Sequence, residues 1–321
     1  MIGWGILGAG NIAHRFVKGL SFSKEGRLVA VASHSKEKRE EFKTLCPNIV
    51  TYDNYDALLE DENVNVVYLA MWHKDHYRWA KQALQKGKAV LCEKPAVLSV
   101  EEMEDLALIA RKNHVFFMEA MKTRFLPMVK HLKELLEQGA IGKIERVENR
   151  FCYRMEEGMD PRYLFEKDQG GILNDVGSYN IASLLDYIHA PIEKVENKAT
   201  FMQGVDVHDR ITIRFKGGQT GFLEMAMDER KSPEMIIYGD RGTIVCEPFY
   251  RPEKIVIARK DGKIEEVCVP YDHDDFYSQI EEVERCLNAG KTESERMSLN
   301  DSIEIQKVIR KIREVTKDPE I

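Results

Sequence analysis

Three groupings in this 321-residue chain have the residue types and spacing for chemistry. The first is Glu93-Lys94-Pro95, which ends the apolar run Ala89 to Cys92. A lysine at the end of a buried strand is either a charge reaching water or an ammonium held at a sheet edge. Doubly wound sheets collect their reactive groups at the carboxyl ends of their strands. Pro95 fixes its own φ and restricts Lys94 to extended backbone, and a Lys–Pro bond can also be cis. The second is Gly8-Ala9-Gly10-Asn11-Ile12-Ala13, which fits G-x-G-x-x-G/A. The third is Asp175 and Tyr179, spaced i, i+4 on a helix expected near residues 172–188, so that they share one face. Gly170-Gly171 just before it offers a close approach for a substrate. Taken alone, the third pair also reads as a cap and a core ring.

The glycine turn gains meaning from its surroundings. It lies between an apolar strand and a helix, with a second apolar strand, LVAVA, following. Gly8 makes the tight turn, Gly10 lets a pyrophosphate reach the backbone, and Ala13 allows close packing of helix on strand. The helix start at Asn11 and Ile12 then presents N–H groups and a partial positive charge to phosphate. The end of the second strand chooses between dinucleotides. An acid there would bind the adenosine 2′-hydroxyl and favour NAD. The chain has Ser33-His34-Ser35-Lys36 instead, with Lys38 and Arg39 close behind. A hydroxyl and several cations suit a 2′-phosphate, so NADP is preferred over NAD. The charges of SKEKREEF also fit the solvated face of a helix.

Elements that position these groups follow from periodicity. In the first third, strands at residues 1–8, 28–32, 64–71, 89–92 and 115–118 alternate with helices at 11–20, 36–45, 76–86 and 99–113. Near-continuous apolar strands separated by helices imply a parallel sheet covered on both faces. Ser99 is the expected N-cap of its helix, with Glu102 completing a capping box. A long helix is expected over 121–138. From residue 192 the strands lengthen and alternate, as in RITIRF and EKIVIAR, and KGGQ, GDRG and KDG mark hairpins. Helices near 172–188 and 274–289 should pack on this sheet, and one near 300–314 ends the pattern. The fold class is therefore α/β: an N-terminal Rossmann-type doubly wound parallel sheet (residues 1–120) and a C-terminal α+β domain (121–321) with a large, mainly antiparallel open sheet. A second copy of the chain is the simplest cover for its open face, making a homodimer or higher homo-oligomer the expectation.

Bulk properties exclude several function classes. The net charge is −7, with 47 basic and 54 acidic residues interspersed. No basic face suggests nucleic acid, and nothing suggests an anionic membrane surface. No stretch approaches the ~20 apolar residues of a membrane span. Six cysteines without C-x-x-C spacing, two of them in apolar runs, fit buried free thiols in a reducing compartment. The first residues show no signal-peptide pattern, and the expected location is the cytoplasm. His73 and His76 are spaced i, i+3, but no third ligand is suitably placed, so no metal site is expected.

GAGNIA, VVYLAMWHKDH, AVLCEKP, MEAMKTRFLP, GGILNDVGSY and YGDRGTI occur in that order. This succession resembles the glucose–fructose oxidoreductase, inositol dehydrogenase and MocA-like family, over nearly the whole chain. It is most similar to the subgroup containing dihydrodiol dehydrogenase, because Asp175-Val176-Gly177-Ser178-Tyr179 stands where many members carry D-x-G-x-H. The resemblance implies that Lys94 lies beside nicotinamide and the substrate hydroxyl, with Asp175 and Tyr179 in the same pocket. It implies cofactor contacts from Gly8, Gly10, Asn11, Ile12, Ser33, His34, Arg39, Met71, His73, His76, Glu93 and Lys94. Met71, Trp72 and His73 depart from the family's small residue and proline, whereas His76 fits. Trp72 either flanks the adenosine or caps the sheet. Glu119, Lys122 and Arg124 fall on a turn beside cofactor and substrate, and Lys122 replaces a residue that is often uncharged. Arg162, in the loop DPRYLFEKDQGG, is a further substrate candidate.

The implied chemistry is reversible hydride transfer between nicotinamide C4 and a secondary alcohol or ketone of a sugar, polyol or diol. An unperturbed tyrosine has a pKa of ~10, which an adjacent ammonium lowers. Tyr179 is thus the expected acid/base, Lys94 its tuner and Asp175 a holder of substrate hydroxyl or of the ammonium. Sequence also allows Lys94 and Tyr179 to exchange roles. A different class, an inactive NADP(H)-binding sensor or scaffold, would need the glycine turn but not Lys94, Asp175 and Tyr179 together.

Overall fold

Short apolar strands separated by amphipathic helices build a parallel sheet at the start of the chain. In order these are β1 (Ile2–Leu7), α1 (Asn11–Leu20), β2 (Gly26–Ala32), α2 (Lys36–Leu45), β3 (Val50–Tyr52), α3 (Tyr55–Glu60), β4 (Val66–Leu69), α4 (His73–Gln85), β5 (Ala89–Cys92), α5 (Val100–Asn113) and β6 (Phe117–Glu119). This is a computed structural model, and it describes residues 1–155 and 162–316. The six strands run in the order β3-β2-β1-β4-β5-β6, every neighbouring pair parallel. All residues of β4 and β5 are buried, as helices on both faces require. Ser99 caps α5 by accepting the Glu102 N–H (3.2 Å), and Glu102 in turn accepts the N–H of Leu98 (3.1 Å), one residue earlier than a capping box places it. Too short and too polar to stand out by periodicity, β3 and α3 escape the sequence reading.

The helix expected over 121–138 is two pieces, a 3-10 turn (Lys122–Phe125) and α6 (Pro127–Glu137). Pro127 disfavours helical backbone at the residue before it, and Leu126 is extended (φ −68°, ψ 139°). The proline itself opens α6, where its missing N–H costs nothing. After α6 come β7 (Ile144–Cys152), α7 (Ile172–Asp175), α8 (Gly177–Leu185), β8 (Ile192–Met202), β9 (Val205–Phe215), β10 (Thr220–Ala226), β11 (Met235–Gly239), β12 (Gly242–Cys246), β13 (Lys254–Arg259), β14 (Ile264–Cys268), α9 (Tyr277–Asn288) and α10 (Leu299–Val315).

Eight strands form the second sheet in the order β14-β13-β12-β11-β7-β10-β9-β8. Only β7 and β10 are parallel neighbours; the rest are antiparallel. The three hairpin signals join β9 to β10, β11 to β12 and β13 to β14. Alternation gives the sheet two unlike faces. Val147, Ile211, Ile213, Leu223 and Met225 are buried, and Leu184 of α8 packs against Gly221. Thr212, Phe222, Ile236 and Tyr238 of the other face are half-buried.

The chain divides into two units, Met1–Phe125 with Asp272–Ile303, and Leu126–Tyr271 with Glu304–Ile321. The segment from Asp272 to Ile303, placed by the sequence reading in the second domain, groups with the first. Its contacts explain why: Phe276 lies directly over Gly19 of α1, and the Trp4 indole N–H donates to Glu284 (2.9 Å). Among the described residues no helix is long and apolar enough to cross a membrane. Cys92, Cys152, Cys246 and Cys286 are buried free thiols; Cys268 is exposed.

Candidate active site

Parallel register aligns the carboxyl ends of the first sheet. Ala32, Leu7, Leu69, Cys92 and Glu119 pair across five strands, so the residues just after them share one edge. Gly8 turns there with φ +97°, its N–H donating to Ala32 O (3.0 Å). A Cβ at Gly8 would lie 2.3 Å from Ala70 O, so glycine is required twice over, by conformation and by space. Gly10 is the N-cap of α1, and a Cβ on it would meet nothing within 4 Å. The cap carries no side-chain hydrogen bond, the first turn has no acid, and Asn11 and Ile12 are exposed. An open, acid-free helix start behind a tight glycine turn fits a pyrophosphate.

At the end of β2, Ser33 is buried and His34 bonds Asp53 O through Nδ1 (3.0 Å). Arg39 reaches back from α2, donating from Nη1 to Ser33 O (2.6 Å). The carboxylate of Glu37 accepts the Ser35 hydroxyl (2.7 Å). Ser35 also caps α2. No acid lies on the strand end itself, and the guanidinium is fixed beside it. This arrangement fits a 2′-phosphate.

The Lys94–Pro95 peptide is cis, and the turn that contains it is gripped from several sides. His76 is fully buried, with Nδ1 2.8 Å from Pro95 O and Nε2 3.1 Å from Met71 O. Burial pushes its imidazole down, toward the neutral form, which donates to one of these carbonyls. The ring ties the Met71 loop to the lysine turn. Glu119 accepts the Ala96 N–H (3.0 Å) and the Ser302 hydroxyl (2.7 Å). Burial pushes its carboxyl up. Glu93 is buried, accepts the Tyr68 hydroxyl, and is likewise pushed up by burial, with Tyr68, Lys94 and Lys122 pulling the other way. Tyr68 stacks on Phe16 of α1 at 3.8 Å between centroids. Lys94 itself is half-buried.

Other candidates sit nearby in sequence but differ in setting. Lys122 is buried and paired with Asp275, its ammonium 4.9 Å from the centre of the Phe276 ring. Burial pushes it down and Asp275 pushes it back. Arg124 is buried with Nη1 3.3 Å from Asp301. Both cations, read from sequence as substrate contacts, therefore help fasten residues 272–303 to the first unit, since a buried charge needs a partner. Trp72 is 41% exposed, with the Lys74 ammonium over its ring. His73 begins α4, its ring 5.8 Å from that of His76. Arg162 is exposed on a turn; residues 156–161 of its loop lie outside the described residues.

In the second unit, Asp175 and Tyr179 do not share one continuous helix. Val176 (φ −117°, ψ −13°) separates α7 from α8, and the Tyr179 N–H donates to Val176 O. Gly171 (φ +91°) starts α7 against Asp206, which accepts the Leu173 N–H (2.7 Å). Arg313 of α10 bonds Asn174. Asn149 of β7 exchanges hydrogen bonds with Asn180 of α8 (2.9 and 2.7 Å). Tyr179 is buried, its ring 6.1 Å from Phe151. Asp175 is half-buried and accepts the hydroxyl of Tyr153 at 2.6 Å. Sequence reading missed Tyr153 because β7, IERVENRFC, is rich in charge and its alternation is weak.

One further cluster has the composition of a metal site: His208, Glu224 and Glu229. Its cation is already supplied by the chain, because the Lys231 ammonium lies 2.8 Å from Glu224 and 3.1 Å from Glu229. Against the upward push of burial, bonds from Lys231, His208 and Arg210 hold Glu224 at about 2.

Residues 2–121 match the model of an oxidoreductase family with an NAD-binding Rossmann fold, and residues 129–245 match the GFO/IDH/MocA C-terminal domain. Among curated proteins, trans-1,2-dihydrobenzene-1,2-diol dehydrogenase of Danio rerio is 31% identical, over 93% of this chain and 92% of its own. The scyllo-inositol 2-dehydrogenase (NADP(+)) of Bacillus subtilis is 28% identical over 98% and 96%. The fold is shared with a 3-ketoreductase from Actinomadura kijaniata solved with NADP and TDP-benzene, at TM-score 0.89 and 23% identity, covering 99% of this chain and 98% of that one. Glycine turn, lysine turn and second sheet thus agree with the whole-length matches: the chain belongs to the GFO/IDH/MocA family of oxidoreductases.

Proposed function

We propose that the protein is an NADP-dependent dehydrogenase or reductase acting on a secondary alcohol or ketone of a sugar, polyol or diol. The observation that carries this reading is the lysine turn. Lys94 follows the end of β5 on the same sheet edge as the Gly8–Gly10 turn, and its turn is gripped by His76 and Glu119. Gripping a half-buried ammonium this firmly suits a group that must be aligned with a reacting atom. The relatives named above that act on inositol and dihydrodiol support the substrate class, and the NADP(+) in the name of the first supports the cofactor.

Gly8, Gly10, Asn11 and Ile12 would hold the pyrophosphate, and Ser33, His34 and Arg39 the 2′-phosphate. Met71, His73, Glu93 and Lys94 would flank the nicotinamide, with His76 acting through the loop it ties. When bound, nicotinamide supplies the hydride acceptor or donor at C4. In oxidation, the O–H proton of the alcohol passes to Tyr179 as its carbon loses hydride and the carbonyl forms. Lys94 donates a hydrogen bond to the same oxygen and favours the phenolate of Tyr179 by its charge. Asp175 receives a neighbouring substrate hydroxyl, a role for which Arg162 is a further candidate. Reduction runs the same steps backward.

Nicotinamide absorbance measured with NADP(+) and a panel of inositols, aldoses and diols tests this reading. Turnover of at least one supports it; tight NADPH binding with no turnover on any would make the protein a sensor. The half-buried Phe222, Ile236 and Tyr238 on the open face of the second sheet support a homodimer through that face. Sedimentation of Ile236→Lys as a monomer beside a dimeric wild type would agree; a monomeric wild type would remove the idea.

A further inference from the structure

We propose that Tyr153 is a positioning residue of the substrate pocket, holding Asp175 so that its carboxylate can receive a substrate hydroxyl. The inference rests on the alcohol-oxidoreductase reading and adds a residue to its site.

Two rigid pieces of backbone bring the pair together. Tyr153 directly follows β7, and its N–H continues the β7–β10 ladder by donating to Ala226 O (2.9 Å). Beyond it the parallel ladder ends, and an isolated antiparallel bridge between Arg154 and Asp228, with the Met155 N–H donating to Met227 O (3.0 Å), holds the following residues. Asp175 ends α7, its N–H donating to Gly171 O (3.1 Å), and α7 is anchored at its start by Asp206 and at Asn174 by Arg313. Between these fixed points the Tyr153 hydroxyl donates to Asp175 Oδ2 at 2.6 Å, a charge-assisted bond.

The electrostatics assign direction. Burial, then the negative charge of Asp175 and the bond to it, push the Tyr153 phenol far above the usual tyrosine range. It therefore stays protonated wherever the enzyme works. A phenol locked as donor cannot take the proton of an alcohol, so it is excluded as the base. What it can do is help fix the rotamer of the carboxylate. A carboxylate has about four acceptor sites, and Tyr153 fills one.

Steady-state kinetics of the full chain with NADP(+) test this, using scyllo-inositol and D-xylose as probes. Tyr153→Phe should raise KM for the alcohol by ~10–100-fold, the range of a lost hydrogen bond to a charged group. Turnover number and KM for NADP(+) should stay within about threefold of wild type. Asp175→Asn combined with Tyr153→Phe should be no worse than Asp175→Asn alone, since the two act as one unit. Tyr153→Gln, which can still donate, should recover part of the loss, and it carries the test if the phenylalanine variant melts early. An unchanged KM, a fall confined to turnover, or additive losses would each overturn the inference while leaving the dehydrogenase standing. A wild type inactive on the whole panel would remove both.

Discussion

The two units hold their chemical groups by different means. In the first, the lysine turn is gripped through its own backbone: His76 bonds Pro95 O and Glu119 bonds the Ala96 N–H. In the second, Asp206 and Asn149 also hold backbone, at Leu173 and Asn180, but the segment bearing Asp175 and Tyr179 is held through its own side chains as well, Asn174 by Arg313, Asp175 by Tyr153 and Asn180 by Asn149. A backbone-gripped turn tolerates no looseness and suits an invariant partner such as a dinucleotide. Side-chain anchoring can be retuned by single substitutions, which suits a family that accepts many alcohols.

The sharpest test of this contrast lies in the two residues proposed to react. Lys94→Met and Tyr179→Phe should each cost ~10²–10⁴ in turnover number if they share the proton transfer. Fluorescence should show NADPH binding retained in the tyrosine variant. Near-normal turnover in both would remove the roles proposed for Lys94 and Tyr179.

A smaller effect is expected where the first unit grips its turn. Glu119→Ala leaves the Ala96 N–H and the Ser302 hydroxyl without their acceptor in a buried place. Stability should fall by ~1–3 kcal/mol, read by denaturant unfolding, and activity should fall with it. If stability drops and turnover does not, the grip serves folding alone.

Cofactor choice comes next. Arg39→Ala should shift the NADP-to-NAD ratio of kcat/KM toward NAD by about tenfold, the value of one charge-assisted contact. An unmoved ratio would assign the 2′-phosphate elsewhere.

A last prediction concerns pH and the second unit. Burial, and then the neighbouring Asp206 charge, push Asp209 from 3.8 to about 8. Folding therefore takes up a proton in this window, because the unfolded carboxylate is already ionised. Stability should decline as pH rises from about 4 to 8 and level off above. Asp209→Asn should flatten that decline and melt higher than wild type at pH 8; parallel curves for the two proteins would contradict it. Glu224 behaves oppositely: its stabilisation is present above the unfolded value of 4.5 and is lost as pH falls toward about 2.

Legibility in the sequence follows the same division. The nucleotide turn could be read because its parts are consecutive, and because glycine and proline act on their own backbone. Hairpin signals and alternation revealed most of the second sheet for the same reason. The break at Val176 could not be read, since nothing in ILNDVGSYN forbids a helix through it. Nor could the Tyr153–Asp175 bond, made between residues 22 apart, one just past a strand that its charges disguise and the other at the end of α7. The pairing of Lys122 with Asp275, 153 residues apart, depends on the fold bringing α9 back to the first unit.

One ring in the first unit answers to two masters. Tyr68 gives its face to Phe16, on the helix that follows the glycine turn, and its hydroxyl to Glu93, next to the lysine. A phenylalanine at 68 would keep the stack and orphan the carboxylate; a smaller polar residue would do the reverse. Any replacement at 68 therefore has to serve the ring at 16 and the carboxylate at 93 at once.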